Sequence, residues 1–221
     1  FDKGYEFVFS IDADAMVIDL GQDIRAEIAR AEKVAGGQRD FFVARHDING
    51  KKSPNLGIIV ARNTEFSKHL LNAMWDMERY VNHPWWEQAA FMDFFGLIDD
   101  LSEGEKRLFD GYQRGIPQAD AASHMGWLDE AWNFIPHISG RGSSHDSDAA
   151  MAPIIKHYAG LTKFRRLAGM IRDALCFGYL KPSDGLKYWK YMAIFIAAKM
   201  RTAASDAWLA LHRMRDGKNG E

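Results

Sequence analysis

FVFSIDADAMVID, residues 7–19, sets two carboxylates one residue apart at the end of an apolar run. The run Tyr5 to Ile11 reads as a buried strand ending at acidic residues. Side-chain direction in a strand repeats every two residues, so Asp12 and Asp14 share a side if the strand geometry persists. Two adjacent carboxylates repel unless positive charge lies between them. A hard divalent cation, Mn²⁺ or Mg²⁺, meets that need through oxygen ligands and keeps positions open for phosphate. The carboxyl end of a strand in an open α/β sheet is also where ligands bind. The bare tripeptide is common, and a surface turn or cap pair is its other reading.

Outward from this stretch, strands and helices alternate. Ala15 to Leu20 continues as a second short strand or a turn. Asp23 to Val34 carries Ile24, Ile28 and Ala31 at helical spacing and is stopped by Gly36-Gly37. Phe41 to Arg45 reads as a strand, His46 to Pro54 as a polar loop turning at Asn49-Gly50, and Leu56 to Ala61 as another buried strand. Thr64 caps a helix over Glu65 to Tyr80; Pro84 opens one over Trp85 to Phe95; Ser102 to Tyr112 is a further helical candidate. Phe134-Ile135 and Ile154 to Tyr158 are short strand candidates, and Ser139 to Asp148 between them is a Gly/Ser-rich loop expected to be mobile. Phe164 to Phe177 and Gly185 to Met214 alternate aromatic, aliphatic and basic residues at helical spacing, split at Pro182. The expected class is therefore α/β, with residues 1–163 as the main domain and 164–221 as a basic, aromatic, helical tail.

A chain of 221 residues with 47 % hydrophobic and 26 % charged residues can bury a real core. The net charge of −2 gives no signature of a nucleic-acid binder. Its distribution is uneven: 15 basic and 25 acidic residues lie in 1–155, against 13 basic and 5 acidic in 156–221. That asymmetry suggests an acidic or membrane-surface partner for the tail. The single cysteine, Cys176, cannot form an internal disulfide, so the fold does not need an oxidising compartment. No apolar run reaches the roughly 18–20 residues of a spanning helix.

Four segments in order carry a family resemblance: the strand with Asp12-Ala13-Asp14, then Asn55-Leu56-Gly57 running to Arg62-Asn63, then Trp86-Glu87-Gln88-Ala89-Ala90, then His157-Tyr158-Ala159-Gly160. Together they resemble the DxD-containing GT-A glycosyltransferases, in particular the galactosyl-, xylosyl- and mannosyltransferase group of glycosyltransferase family 34. The resemblance covers about residues 5–165. It implies a GT-A (nucleotide-diphospho-sugar transferase) fold and transfer of a sugar, UDP-hexose by default and GDP-mannose second, to a glycan, lipid-linked or protein acceptor. It implies that Asp12, Asp14 and His157 hold Mn²⁺ or Mg²⁺, with Asp12 also reaching towards the ribose. Asp12, Ala13, Asn55, Gly57, Trp86, Gly160 and Lys163 would contact donor or substrate, Asn55 and Gly57 as the floor of the sugar pocket and Lys163 on the leaving diphosphate. Glu87 and Gln88 would be the catalytic pair at the sugar side; the family more often carries Asp at the Glu87 position. Transfer with retention of anomeric configuration is implied as well.

GT-A enzymes place a nucleotide-binding βαβ region before the DxD strand, whereas here only eleven residues precede Asp12. The expectation is a fold lacking its N-terminal nucleotide-binding part, so that the chain alone is a weak nucleotide binder or an inactive fragment. Two rival readings stand beside this one. A haloacid-dehalogenase-type phosphatase also begins with strand-DxD, but Ala15-Met16 follows the pair here where Gly-Thr or Gly-Val is usual. A non-catalytic interaction module would leave the DxD without a metal. In the tail, Lys181, Lys187, Lys190, Lys199 and Arg201 interleave with Tyr188, Trp189, Tyr191 and Phe195. That pattern suits peripheral membrane contact or self-association through 164–215. The expected location is the cytoplasm or the cytoplasmic membrane face, or a Golgi-type lumen if an anchor precedes Phe1.

Overall fold

β1 (Phe7–Ile11), β4 (Lys51–Arg62), β3 (Phe41–Ile48) and β5 (Met125–Leu128) form one mixed sheet in that order. β1 and β3 run antiparallel to β4, and β5 runs parallel to β3. A second, two-stranded sheet pairs β2 (Ala15–Val17) antiparallel with β6 (Ile155–His157). This computed structural model describes residues 3–48, 51–136 and 152–181, with Ser183, Lys190 and Ala193 beyond them. The chain divides into two compact units, Phe1–Ala159 and Gly160–Glu221. The class is mixed α/β.

β3 explains the layering of the first unit. Its uninterrupted apolar start places Phe41 and Val43 in one core cluster and Phe42 and Ala44 in another, which is the pattern of a strand covered on both faces. The first cluster includes Leu70 from α2 (Glu65–Trp75) and Phe91 and Phe94 from α3 (Trp86–Phe94). The second includes Ile28 and Ala31 from α1 (Ile24–Ala35) with Ile58, Leu128, Trp132 and Ile155. Local caps set the helix ends. Asp23 accepts from Arg25 N at 2.9 Å, Gly36 closes α1 at φ 75°, and Thr64 accepts from Ser67 N at 3.3 Å.

Several elements differ from the sequence expectations. β1 is an exposed edge strand, not a buried one: it pairs only with β4, and Val8, Phe9 and Ile11 are exposed. The polar segment 46–54 is not a loop: β3 and β4 continue as a hairpin, with His46 opposite Ser53 and Arg45 opposite Pro54. Both His46 and Ser53 are buried, so their polarity marks hydrogen bonding in the interior. Asn49-Gly50 lies outside the described residues. The helix from Glu65 stops at Trp75, because Met77 leaves helical geometry (φ −81°, ψ 62°) and a 3₁₀ turn at Glu78–Tyr80 follows. That turn delivers Tyr80 to a third cluster with Ala89, Met92 and Phe109. The helix expected over 102–112 is a single turn, α4 (Glu103–Lys106), with a Ser102/Glu105 capping box and a 3₁₀ turn after it. β5 was not anticipated: Met-Gly-Trp-Leu is short and holds a glycine, and Gly126 is needed because a methyl group there would overlap Phe42. Phe134 makes one isolated bridge to Lys156 in place of a strand.

In the second unit, α5 (Lys163–Cys176) realises the first part of the expected helical tail, with Arg172 paired to Asp173 at 2.8 Å. Cys176 is exposed. The Ser139–Asp148 loop, Pro182 and, apart from Lys190 and Ala193, the helix expected over Gly185 to Met214 lie outside the described residues. Among the described residues, no helix is long and apolar enough to cross a membrane.

Candidate metal centre

Beyond Ile11 the β1 backbone makes one more ladder bond, Asp12 N to Gly57 O at 2.9 Å. It then turns tightly, with Ala15 N donating to Asp12 O at 2.9 Å. β2 starts at once and pairs Ala15 with His157, while Tyr158 N donates to Asp14 O at 2.9 Å. The Asp12–Asp14 turn is thereby held between β4 and β6, and the strand that fixes Asp14 also carries His157. Side-chain exposure is 51 % for Asp12, 18 % for Asp14 and 4 % for His157. His157 Nε2 lies 3.6 Å from Asp12 Oδ2 and 3.3 Å from Asp14 Oδ1. One ligand atom from each residue falls within 4.8 Å of the others.

The ground behind His157 is made by β4. Val43 pairs with Ile59 but Ala44 pairs with Asn55, so Leu56, Gly57 and Ile58 bulge away from β3. Their freed amides are met by side chains: Gly57 N donates to Asn55 Oδ1 at 3.0 Å, and Leu56 N to Gln88 Oε1 at 3.5 Å. The imidazole of His157 lies against Gly57, where a methyl group would overlap the ring at Cε1 and Nδ1. Asn133 closes the set. Its Nδ2 donates to Asn55 Oδ1 at 2.8 Å and to Asn55 O at 3.2 Å, and its Oδ1 lies 2.9 Å from His157 Nδ1. Buried His46 hydrogen-bonds Glu130 through Nδ1 at 3.1 Å. Burial pushes the His46 imidazole below its ordinary value against the pull of Glu130.

No family model matches this chain, and no curated protein and no solved structure matches it either. Two carboxylates and one imidazole on a partly open surface form a mixed oxygen–nitrogen donor set suited to a hard or borderline divalent ion such as Mn²⁺.

Of the other residues singled out in the sequence, Glu87 and Gln88 sit in the first turn of α3. Gln88 reaches back to β4 beside Gly57, while Glu87 lines an apolar cavity of about 420 Å³. Ile59, Met74, Met77, Trp75 and Trp86 line it too. Trp75 is 88 % exposed and Trp86 63 % exposed, whereas Trp85 packs against Phe109 and His83. Trp86 has φ 40°, and it is the one non-glycine residue with positive φ among the described residues. Asn55 and Gly57 lie behind His157, and Ala13 lies in the turn between the two carboxylates. Gly160 (φ 69°) and Lys163, the first residue of α5, belong to the second unit.

Asn133, His46 and Glu130 were not anticipated. The one signal available for Asn133 was an amide inside the apolar run Trp132-Asn133-Phe134-Ile135. A polar group at such a position is there to be hydrogen-bonded.

Proposed function

We propose that this chain is a metal-dependent glycosyltransferase of the GT-A type. It would move a hexose from a nucleotide-diphosphate donor, UDP-hexose first and GDP-mannose second, to a hydroxyl of a glycan, with retention of configuration. The observation that carries the reading is the convergence of His157, distant in sequence, with Asp12 and Asp14 so that one ligand atom from each lies within 4.8 Å of the others. Asp12, Asp14 and His157 would hold Mn²⁺ or Mg²⁺. Such an ion, when bound, stabilises the negative charge that builds on a diphosphate leaving group.

The chain's own residues supply the rest. Asp14 and His157 are mostly buried and held by β2 and β6, which makes them the rigid part of the donor set. Asp12 is half exposed, which puts its carboxylate within reach of ribose as well as the ion. Glu87 offers a carboxylate to sugar hydroxyls at the rim of an apolar cavity, and Trp75 and Trp86 offer ring faces to the apolar side of a pyranose. A bulky residue held at φ 40° costs about 1–2 kcal/mol, and such outliers concentrate where ligands bind. Gln88, which bonds to the Leu56 amide, couples this acceptor wall to the strand that backs the metal centre.

The test is release of UDP or GDP from a panel of nucleotide-hexoses, with Mn²⁺ and with EDTA, using the full chain alone and with oligosaccharide acceptors. The expected result is Mn²⁺-dependent release, stimulated by acceptor and abolished in Asp14→Ala and His157→Ala. Release that is indifferent to EDTA and to both substitutions, or formation of an acyl-phosphate on Asp12, would sink the proposal.

A further inference from the structure

We infer that Asn133 is a positioning residue that fixes the tautomer of His157, so that the Nε2 lone pair faces Asp12 and Asp14 before any metal arrives. The inference rests on the metal-centre reading above and adds a residue that reading does not contain. It starts from a donor whose role is beyond choice. A backbone N–H can only donate, and that of Gly57 meets the Asn55 side chain at 3.0 Å, so the oxygen of that amide faces Gly57. The Asn133 amide meets the same oxygen at 2.8 Å and the Asn55 backbone carbonyl at 3.2 Å. Both are acceptors, so the NH₂ of Asn133 must point there, and its amide cannot be flipped without placing oxygen against oxygen twice. The remaining end of Asn133, Oδ1, lies 2.9 Å from His157 Nδ1. A carbonyl oxygen only accepts, so Nδ1 carries the hydrogen. In the neutral ring Nε2 then keeps its lone pair.

That lone pair sits 3.3 Å from Asp14 Oδ1 and 3.6 Å from Asp12 Oδ2. Together with those two oxygens it forms a three-atom donor set within 4.8 Å, the number and type of ligands a divalent cation takes from a protein. The intrinsically easier tautomer, with hydrogen on Nε2 donating to Asp14, would close the site to metal. Asn133 is fully buried, so no competing water at its amide loosens this choice. The glycine at 57 lets the ring lie against the strand close enough for the relay to reach it. Ligating histidines are commonly oriented by a partner on the far ring nitrogen, and loss of that partner weakens metal affinity about 10- to 100-fold.

The experiment reads two things on the full chain. One is the tautomer of His157 in metal-free protein, from ¹⁵N–¹H long-range correlations at a pH where the ring is neutral. The other is Mn²⁺ affinity, from titration followed by electron paramagnetic resonance. Wild type is expected in the Nδ1–H form. Asn133→Leu should move the ring to the Nε2–H form and weaken Mn²⁺ binding about 10- to 100-fold, with an otherwise native amide spectrum. The tautomer of the wild-type ring needs no substitution, and it carries the test if the leucine variant does not fold. A wild-type ring in the Nε2–H form overturns the inference, as does Asn133→Leu with tautomer and affinity unchanged. A wild-type ring in the Nδ1–H form that binds no Mn²⁺ overturns the metal reading itself, and the tautomer tells that failure apart from the others.

Discussion

Gly57 has no side chain because the ring of His157 occupies the space one would fill. Gly57→Ala is therefore expected to displace the imidazole, weaken Mn²⁺ binding at least tenfold, and cost about 1–3 kcal/mol as overpacking in a confined site. Denaturant melts and the Mn²⁺ titration check the two effects separately. A second single-residue expectation concerns His83, which sits among Tyr80, Trp85, Phe109 and Tyr112 and accepts from Trp85 N at 3.0 Å. Burial lowers its pKa from the ordinary 6.5. The folded state then binds fewer protons than the unfolded state, so stability rises with pH through this window. It is fully present above about 6.5 and is lost as pH falls towards the lowered folded value. Buried His46, whose pKa shifts the same way, adds to the trend. Melts between pH 7.5 and 5 should show falling stability. His83→Asn, which keeps an acceptor near the Trp85 amide, should flatten the slope.

α3 carries the exposed Trp86 and Glu87 on its first turn and buries Ala89 to Phe94 behind them, so recognition and packing are separated along one helix. Trp86→Ala is expected to raise the KM for an oligosaccharide acceptor several-fold while leaving Mn²⁺ affinity unchanged and the melting temperature within a few degrees. A parallel loss of Mn²⁺ binding would show that α3 serves the fold and not an acceptor. The elements legible from sequence were those whose apolar pattern is simple. α1 has one buried stripe and a glycine stop, and α2 shows its Thr64 cap although not its early end; β1 reads as a strand, but its exposure at the sheet edge is not visible in its apolar run. The hairpin arms over 46–54 were not legible, because His46 and Ser53 are polar residues turned inward, His46 to Glu130 from far along the chain and Ser53 to the carbonyl of Pro54. β5 was hidden by its four-residue length, since only its parallel partner β3 makes Met125–Leu128 a strand. In the candidate site, the ligand types at Asp12, Asp14 and His157 stood out as chemistry. Asn133 did not, because its meaning comes from Asn55 and His157, which only the fold brings to it.

Across the first unit, β3 and β4 are covered on both faces while β1 is an exposed edge, and the acidic pair lies where β1 gives way to β2 with β4 and β6 beside it. The cluster is thus tied into both sheets, and an ion bound there should stabilise the folded state as a unit. At a free ion concentration of 100 times Kd the gain is about 2.7 kcal/mol. Thermal melts with Mn²⁺ should rise accordingly and fall back with EDTA. Asp14→Ala should show no such rise. The most direct measurement is a Mn²⁺ titration of the full chain, with UDP or GDP present, followed by electron paramagnetic resonance in wild type, Asp14→Ala and His157→Ala. The expected result is one Mn²⁺ bound per chain with one of the two nucleotides, and loss of that binding in both variants. No bound Mn²⁺ in wild type, or binding that survives both substitutions, would contradict a metal centre at Asp12, Asp14 and His157.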